Sequence, residues 1–230
     1  MGGHGAGDGG RRDADVAPKD AFLLAVAHDL QASIAALAGS LDVLRDRFDE
    51  LAPHEVEDLL DTMAGAAAEA GAVLANLFDA ERLEHGVAHL VRSPTDLRAL
   101  VARVVAASSG ADRIEIDVDD AVVDVDAGLT ERMIANLIGN ALIHTPIGTP
   151  ITVCGRDEGD HVVLHIDDAG PGIPAHLRAH VFEPFHQGSG RGMGVGLHLV
   201  REFARLHGGD AVIEDVPTGG TSVRVRLPTR

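Results

Sequence analysis

Residues 23–51, with the sequence LLAVAHDLQASIAALAGSLDVLRDRFDEL, decide the fold of the first part of the chain. Their apolar residues recur at alternating steps of four and three, the seven-residue repeat of helices that pack along a seam. A second series with the same steps occupies residues 56–77, after a break at Pro53 and His54. Two such helices with a short connection predict an antiparallel helical hairpin. The first seam consists of Leu23, Ala27, Leu30, Ile34, Leu37, Leu41, Leu44, Phe48 and Leu51.

A single hairpin of this kind buries its seam only partly. We therefore expect two hairpins to pair into a four-helix bundle, which makes the protein a homodimer. The alternative is a two-helix arm that packs on the rest of the same chain.

After about residue 90 the sequence pattern changes from helical to mixed. Residues 113–118 alternate apolar and polar side chains, as a half-buried strand does. Similar stretches occur near residues 151–154, 161–166, 211–213 and 222–227, and helical patterns at about 128–144, 174–182 and 195–207 lie between them. The mixture predicts an α+β fold in which helices cover one face of a sheet. The expected division is a flexible, glycine-rich leader (1–17), the hairpin (18–86) and the mixed domain (87–230).

Composition narrows the class of protein. The chain has 230 residues, with 19 Lys and Arg against 36 Asp and Glu, which gives a net charge of −17. Such a chain is repelled by phosphate backbones, and it has neither Trp nor Tyr for stacking on bases, so we expect no nucleic-acid partner.

No apolar run approaches the roughly 18–20 residues of a membrane span, so we expect no membrane-spanning segment. The single cysteine, Cys154, fits a reducing compartment, and we expect a cytoplasmic protein.

His28 is the first candidate for chemistry. It follows the seam residue Ala27, and one residue is roughly 100° of helical rotation, so the imidazole is expected to point away from the bundle core. The neighbouring Asp29 is a carboxylate that can fix the tautomer of an imidazole and make its other nitrogen a nucleophile. The alternative is an ordinary exposed histidine, one of thirteen in the chain.

Two asparagines form the second candidate. Asn136 and Asn140 are four residues apart in a predicted helix, which places both amides on one face. Amide oxygens at this spacing can hold a divalent cation, or a nucleotide through the cation. The alternative is a pair of solvated amides.

Two glycine-rich segments complete the set. Asp168 ends a predicted strand and is followed by Gly170 and Gly172, where a ligand can approach the backbone closely and the carboxylate can accept a hydrogen bond from an exocyclic amine. Residues 188–196 carry alternating glycines directly before a helix, a pattern typical of a phosphate cradle. The alternatives are an ordinary Gly-Pro turn and a flexible linker.

Together, these four motifs resemble the sensor histidine kinases of two-component systems, and the resemblance covers residues 18–228. Residues 28–30 are similar to the H-box of that family, residues 136–141 to the N-box, residues 168–172 and 192–197 to the two glycine boxes, and residues 182–185 to the F-box. The resemblance implies a dimerisation and phosphoacceptor hairpin followed by an ATP-binding domain of the Bergerat type, a two-layer α/β sandwich.

The resemblance also implies roles. His28 would attack the γ-phosphate, oriented by Asp29, and the phosphoryl group would pass to an aspartate of a response regulator receiver domain. Asn140 would coordinate Mg²⁺, and Asp168 would bind the adenine amine with support from Thr221. The residues expected to bind ATP are Asn136, Asn140, His144, Asp168, Gly170, Gly172, Gly188, Gly192, Gly194, Gly196, Leu197 and Thr221.

Some positions depart from the family pattern. Gln31, Ala32 and Ser33 stand where the family usually has a basic residue, Thr or Asn, and Pro, which predicts weak phosphatase activity toward the partner. Ile143 stands where the family commonly has a basic residue that contacts phosphate. Loss of that charge is expected to weaken nucleotide affinity or slow transfer, unless His144 or Arg191 substitutes for it.

These departures leave a nucleotide-binding scaffold that docks a receiver domain as the alternative function, and a Bergerat-fold ATPase as a third. Asn136 argues against the ATPase, because an amide cannot take a proton from water.

Overall fold

A computed structural model describes residues 18–86, 89–184, 194–214, 216 and 219–229. The leader expected at residues 1–17 lies outside the described residues. The chain forms an N-terminal helical hairpin followed by an α/β sandwich, which confirms the predicted fold class. Where the first domain ends and the second begins stays a prediction.

The hairpin consists of two long helices joined by a short turn. Helix α1 is Pro18–Arg47, a 3₁₀ turn occupies Phe48–Glu50, and helix α2 is Pro53–Glu84. Pro53 begins α2, where the N–H that proline lacks would have no partner in the helix. The Glu55 carboxylate accepts the backbone N–H of Ala52 at 2.8 Å, which satisfies another donor at the helix start.

The residues of the apolar seam predicted for α1 lie on two different faces of the helix. Half-buried Leu30, Leu37 and Leu44 belong to the face that α1 turns toward the protein interior, together with fully buried Val26 and Ser33. Four other large seam residues are exposed: Leu23, Ile34, Leu41 and Phe48 are 46%, 59%, 55% and 60% exposed, whereas Leu51 is half-buried. The hairpin therefore leaves an apolar stripe uncovered within the described chain, which we call the outer stripe: Leu23, Ile34, Leu41 and Phe48.

One segment of the hairpin passes a simple test for a membrane-spanning helix. Residues Phe22–Glu50 have a mean hydropathy of 1.4 in their most apolar window, of which 17% is buried. Length and composition alone do not separate such a helix from one in a soluble bundle. The expectation that no segment could span a membrane is therefore not confirmed.

The second part of the chain is built on a five-stranded sheet with the order β2-β4-β5-β7-β6. The β2–β4 pair is parallel and the other pairs are antiparallel. The strands are β2 (Ile114–Val118), β4 (Ile151–Asp157), β5 (His161–Asp168), β6 (Asp210–Glu214) and β7 (Thr221–Pro228). All five coincide with predicted strands, extended by one or more residues in most cases.

Helices pack on one face of this sheet. They are α3 (Leu97–Ala106), α4 (Ala127–His144) and α6 (Gly196–Leu206), and a single-turn helix α5 (Ala175–Arg178) follows β5 in the chain. Buried Ile151 and Val153 alternate with half-buried residues along β4, as expected for a sheet with helices on one face. Helix α5 is shorter than the 174–182 segment predicted for it.

A small second sheet and α3 escaped prediction. Strands β1 (Ser93–Asp96) and β3 (Val122–Val125) pair antiparallel. The β1 sequence, SPTD, is polar and contains a proline, so no apolar alternation indicates it. The start of α3 did carry a signal, since Asp96 caps the helix by accepting the N–H of Ala99 at 3.0 Å.

The two parts of the chain share one hydrophobic core. Phe22 and Val26 of α1 and Val73 of α2 belong to the same buried cluster as the sandwich interior. Helix α2 packs on α6, and Leu77, Ala80 and Leu83 in its C-terminal half pack against the common core. The base of the hairpin is thus docked on the α/β sandwich.

Candidate nucleotide-binding site

The two asparagines of the predicted site lie in the middle of α4, on one face. The helix is held at its start by Asp126, whose Oδ1 accepts the N–H of Leu129 at 3.0 Å. Asn136 and Asn140 are both half-buried. The Nδ2 atom of Asn136 is buried and has no hydrogen-bond partner among the described residues. An acceptor on a ligand at this point would satisfy that donor.

The N-terminus of α6 meets the same two amides. A Cβ added to Gly196 would lie 3.8 Å from Asn136 Oδ1 and 3.8 Å from both side-chain amide atoms of Asn140. Gly194 precedes it with φ +66°, a left-handed conformation that favours glycine. Backbone N–H groups at the start of an eleven-residue helix are therefore brought beside the asparagines, an arrangement suited to phosphate.

The carboxylate of Asp168 is fixed at the end of β5. Its Oδ1 accepts the backbone N–H of Gly170 at 2.9 Å and that of Thr221, on β7, at 3.3 Å. Asp168 and Thr221 are direct partners in the β5–β7 register. Thr221 therefore supports Asp168 through its main chain.

Glycines are required where the turn after Asp168 packs. A Cβ on Gly170 would approach Thr145 Cγ2 to 3.0 Å, and one on Gly172, whose φ is +74°, would approach the Gly220 carbonyl oxygen to 2.8 Å. Gly220 itself has φ +96°, and its Cβ would lie 2.0 Å from the Asp168 carbonyl oxygen. The turn is therefore seated against the C-terminal end of α4 and the start of β7.

Arg113 ties down the loop after α4, a role that sequence reasoning missed. Its Nη2 donates to Thr145 Oγ1 at 2.7 Å and to the carbonyl oxygens of Pro146 and Thr149 at 3.0 and 2.9 Å. The Thr145 hydroxyl donates to the Ala141 carbonyl at 2.7 Å. The guanidinium thus fixes the end of α4 and the loop after it, where Thr145 packs beside Gly170. Nothing in the local sequence indicates where an arginine at the start of a strand sends its guanidinium.

The remaining predicted nucleotide ligands have mixed positions. His144 is an exposed residue at the end of α4, and its carbonyl oxygen lies 3.1 Å from a Cβ built on Gly170. Leu197 is half-buried and packs against the hydrophobic core. Ile143 is 54% exposed and brings no charge to the site. Gly188, Arg191 and Gly192 lie outside the described residues.

His28 is exposed on α1, as its position after the seam residue Ala27 predicts. In the described part of the chain no hydrogen bond joins its imidazole to Asp29, so the orienting role of Asp29 stays a prediction. Ser33, one turn further along, is 1% exposed. Its hydroxyl donates to the Asp29 carbonyl at 3.1 Å and to Glu69 Oε2 of α2 at 3.4 Å. Ser33 therefore takes part in the contact between the two hairpin helices.

His207, at the C-terminal end of α6, holds the start of α4 in place. Its Nε2 accepts the backbone N–H of Asp126 at 3.0 Å, and its Nδ1 lies 2.7 Å from the Phe203 carbonyl oxygen. The ring is 1% exposed, and burial lowers the pKa of His207 below its ordinary value. The neutral tautomer, with Nδ1 protonated, is the form that satisfies both partners.

The donor set fits a nucleotide with its cation better than a cation alone. Among the described residues no group of three His, Cys, Asp or Glu side chains could hold a metal ion. Mg²⁺ is commonly bound by one or two protein oxygens together with substrate phosphates. Asn140 offers such an oxygen beside the α6 N-terminus, so the residues present fit Mg²⁺ only as part of a metal–phosphate complex.

A helical hairpin joined to a sandwich with this site defines a class of nucleotide-dependent signalling kinases, and comparisons agree. The family model described as histidine kinase-, DNA gyrase B- and HSP90-like ATPase matches residues 125–230. Sensor protein KdpD of Mycobacterium tuberculosis H37Rv is 33% identical over 219 residues, which is 90% of this chain and 25% of KdpD. The chain thus spans about a quarter of the length of that relative.

Solved structures give the same result. The mycobacterial sensor histidine kinase MprB is 30% identical, with a TM-score of 0.55 over 61% of this chain and 99% of that structure. Acinetobacter baumannii histidine kinase AdeS, at 20% identity, shares the fold over 88% of this chain and 98% of that structure, with a TM-score of 0.59. The chain belongs to the sensor histidine kinases of two-component systems.

Proposed function

We propose that this chain is the core of an ATP-dependent protein-histidine kinase that phosphorylates its own His28 and passes the phosphoryl group to an aspartate of a response regulator. The observation that carries the proposal is the convergence of Asn136 and Asn140 with the N-terminus of α6 at Gly196, on a chain that also exposes His28. Family membership supports the same reading.

The proposed nucleotide position runs from the C-terminal end of α4, beside Asp168, to the middle of the helix at Asn140 and Asn136. The adenine amine would donate to Asp168, whose carboxylate is held by Gly170 and Thr221. The phosphates would lie at the N-terminus of α6, and Asn140 would hold Mg²⁺ together with phosphate oxygens. The cation would neutralise charge on the phosphates, and positioning plus charge neutralisation supply most of the rate in phosphoryl transfer.

The reaction at His28 needs little further machinery. A ring nitrogen would form the bond to the γ-phosphorus as the bond from that phosphorus to the bridging oxygen breaks and ADP leaves. Asn136 has an amide where an ATPase needs a base for water, which favours transfer to histidine over hydrolysis.

The uncovered outer stripe of α1 supports a homodimer. Four large apolar side chains, each 46–60% exposed, lie along α1 and the 3₁₀ turn that follows it, in a hairpin whose other face is already packed. A second hairpin would cover them and complete a four-helix bundle. We also place the protein in the cytoplasm, where the free thiol of Cys154 would stay reduced.

The scaffold alternative rests on Ile143, which is exposed at a place where the family commonly has a cation. Incubation with ATP labelled at the γ-phosphate separates the two functions. The kinase predicts an acid-labile, base-stable label that His28→Ala abolishes and that a receiver domain removes. His54→Ala, at another exposed histidine of the hairpin, is the matched control and should keep the label.

Nucleotide binding without any label would overturn the kinase in favour of the scaffold. Steady release of phosphate that His28→Ala does not change would support an ATPase instead.

A further inference from the structure

An ion pair joins the hairpin to the nucleotide-binding domain. Arg132 Nη1 of α4 contacts Asp79 Oδ1 of α2. The Asp79 side chain is 3% exposed and that of Arg132 is 44% exposed. The carboxylate is therefore buried in the interface between hairpin and sandwich, whereas its cation reaches solvent.

Arg132 lies on the face of α4 that carries the site. It precedes Asn136 by four residues and Asn140 by eight, so the three side chains follow one another along one side of the helix. Each step of four residues is about 6 Å along the axis. The opposite end of α4, at Thr145, packs against Gly170 beside Asp168.

The order of these residues along α4 indicates how a bound nucleotide would be oriented in the site. The base would bind near Asp168, the cation and inner phosphates at Asn140, and the terminal phosphate at or beyond Asn136. Arg132 is the next residue on that face, within reach of a terminal phosphate because an arginine side chain is about 6–7 Å long.

The ion pair with Arg132 leaves the buried Asp79 carboxylate incompletely hydrogen-bonded. The Oδ2 atom of Asp79 is buried with no hydrogen-bond partner among the described residues, so Arg132 supplies the compensation through one oxygen. A buried carboxylate that loses its cation is strongly destabilised in place. If Arg132 turns to another anion, Asp79 is left as an unpaired buried charge, which favours separation of the C-terminal half of α2 from the sandwich.

The same part of α2 packs on the common core, and α2 also contacts α6. Leu77, Ala80 and Leu83 are partly buried against the common core, and α2 contacts α6, which begins at Gly196. Movement of α2 would therefore uncover the sandwich surface around Arg132.

We propose that Arg132 is shared between Asp79 and the terminal phosphate of ATP, so that a docked hairpin and a bound triphosphate compete for one guanidinium. The proposal rests on the proposed nucleotide site. By reciprocity, breaking the ion pair strengthens triphosphate binding, and a bound triphosphate releases the hairpin. ADP lacks the terminal phosphate and leaves the pair intact.

The test measures Mg²⁺-dependent binding of ADP and of the β,γ-imido analogue of ATP by calorimetry. Asp79→Asn is expected to tighten binding of the analogue about five- to tenfold and to leave ADP unchanged. Arg132→Gln is expected to weaken the analogue about tenfold or more, again with little change for ADP. The double variant should bind the analogue with the same affinity as Arg132→Gln alone.

Glu131→Gln is the matched control, since it removes a carboxylate one residue away that pairs with Arg103 on the surface. It should leave both affinities unchanged. A second readout needs no nucleotide: hydrogen exchange in residues 74–84 should be faster in Asp79→Asn than in the unchanged chain. Should Arg132→Gln fail to fold, the double variant, which buries no charge, carries the comparison.

Equal shifts for ADP and the analogue in Asp79→Asn, or an Arg132→Gln variant that keeps the ratio of the two affinities, would overturn the sharing of Arg132. These measurements do not involve His28, so absence of a phosphohistidine label would reject the kinase activity without changing them. If the unchanged chain bound neither nucleotide, both proposals would fall.

Discussion

Asp168 and Thr221 face each other across β5 and β7, and the N–H of Thr221 donates to Asp168 Oδ1 at 3.3 Å. Gly170 donates to the same oxygen from the other side, at 2.9 Å. Two main-chain N–H groups thus orient the carboxylate before any ligand arrives. Such preorganisation lowers the cost of binding, because little freedom is lost when the ligand is bound.

Asp168→Asn tests the role of this carboxylate. An asparagine oxygen can still accept the two main-chain bonds, but its NH₂ group presents a donor where the adenine amine needs an acceptor. We expect the affinity for ADP to fall by about 10- to 100-fold, since a hydrogen bond to a charged group contributes about 1.5–3 kcal/mol. Isothermal titration calorimetry measures the change. Asp167→Asn, one residue earlier on the other face of β5, is the control, and an equal loss there would contradict the assignment.

Gly220 and Gly219 allow the cost of a close backbone contact to be separated from the cost of a positive φ. Both have positive φ, +96° and +87°, but a Cβ on Gly220 would lie 2.0 Å from the Asp168 carbonyl oxygen whereas one on Gly219 meets nothing within 4 Å. Gly219→Ala should therefore cost about 1–2 kcal/mol of folding free energy from strain alone. Gly220→Ala should cost at least about 1 kcal/mol more, because backbone must move. Urea denaturation gives both values, and equal costs would show that the close approach relaxes freely.

The sequence predicted much of the fold because its strongest patterns are local. Alternation in β4, β5 and β7 and the helical period of α4 were visible in single segments, and so was the hairpin. The division of the α1 seam into an inner and an outer face was not visible, since residues such as Leu37 and Ile34 are equally apolar. Only the packing of α2 shows that the first is half-buried while the second is 59% exposed.

Candidate site residues were predictable where a motif carries them and not where a tertiary contact does. Asn136, Asn140 and Asp168 stand in recognisable segments. Arg113 and Asp79 act across 32 and 53 residues of sequence, on Thr145 and Arg132 respectively, and no local pattern indicates those partners. From the sequence alone, Arg113 would be interpreted as a charged surface residue before a strand, and Asp79 as a charged surface residue of a helix.

His207 predicts a pH dependence of stability. The folded chain keeps the ring neutral, because burial lowers the pKa of His207 and a proton on Nε2 would face the N–H of Asp126. The unfolded chain binds that proton near the ordinary pKa of about 6.5. The unfolded state then holds more protons, so the contribution of His207 is complete above about pH 6.5 and is lost as the pH falls toward the folded pKa.

The measurement is the free energy of unfolding in urea between pH 7.5 and 5.5. His207→Gln keeps an oxygen that can accept from Asp126 and does not titrate, so its stability should fall less steeply with acid than that of the unchanged chain. His54→Gln, at an exposed position, should keep the original slope. Parallel curves for the His207 variant and the unchanged chain would exclude this ring as the source.

The outer stripe of α1 gives a test of the dimer. Leu41 is 55% exposed in the single chain, so Leu41→Glu should leave the folding of one hairpin nearly unchanged. In a four-helix bundle, however, the carboxylate would be buried against the second hairpin, where an unpaired charge costs several kcal/mol. Sedimentation equilibrium should therefore show a dimer for the unchanged chain and a monomer for the variant. Ala35→Glu places the same charge about 100° around the helix from Ile34, away from the stripe, and should remain dimeric. A monomeric unchanged chain at micromolar concentration would instead mean that the stripe does not pair with a second copy.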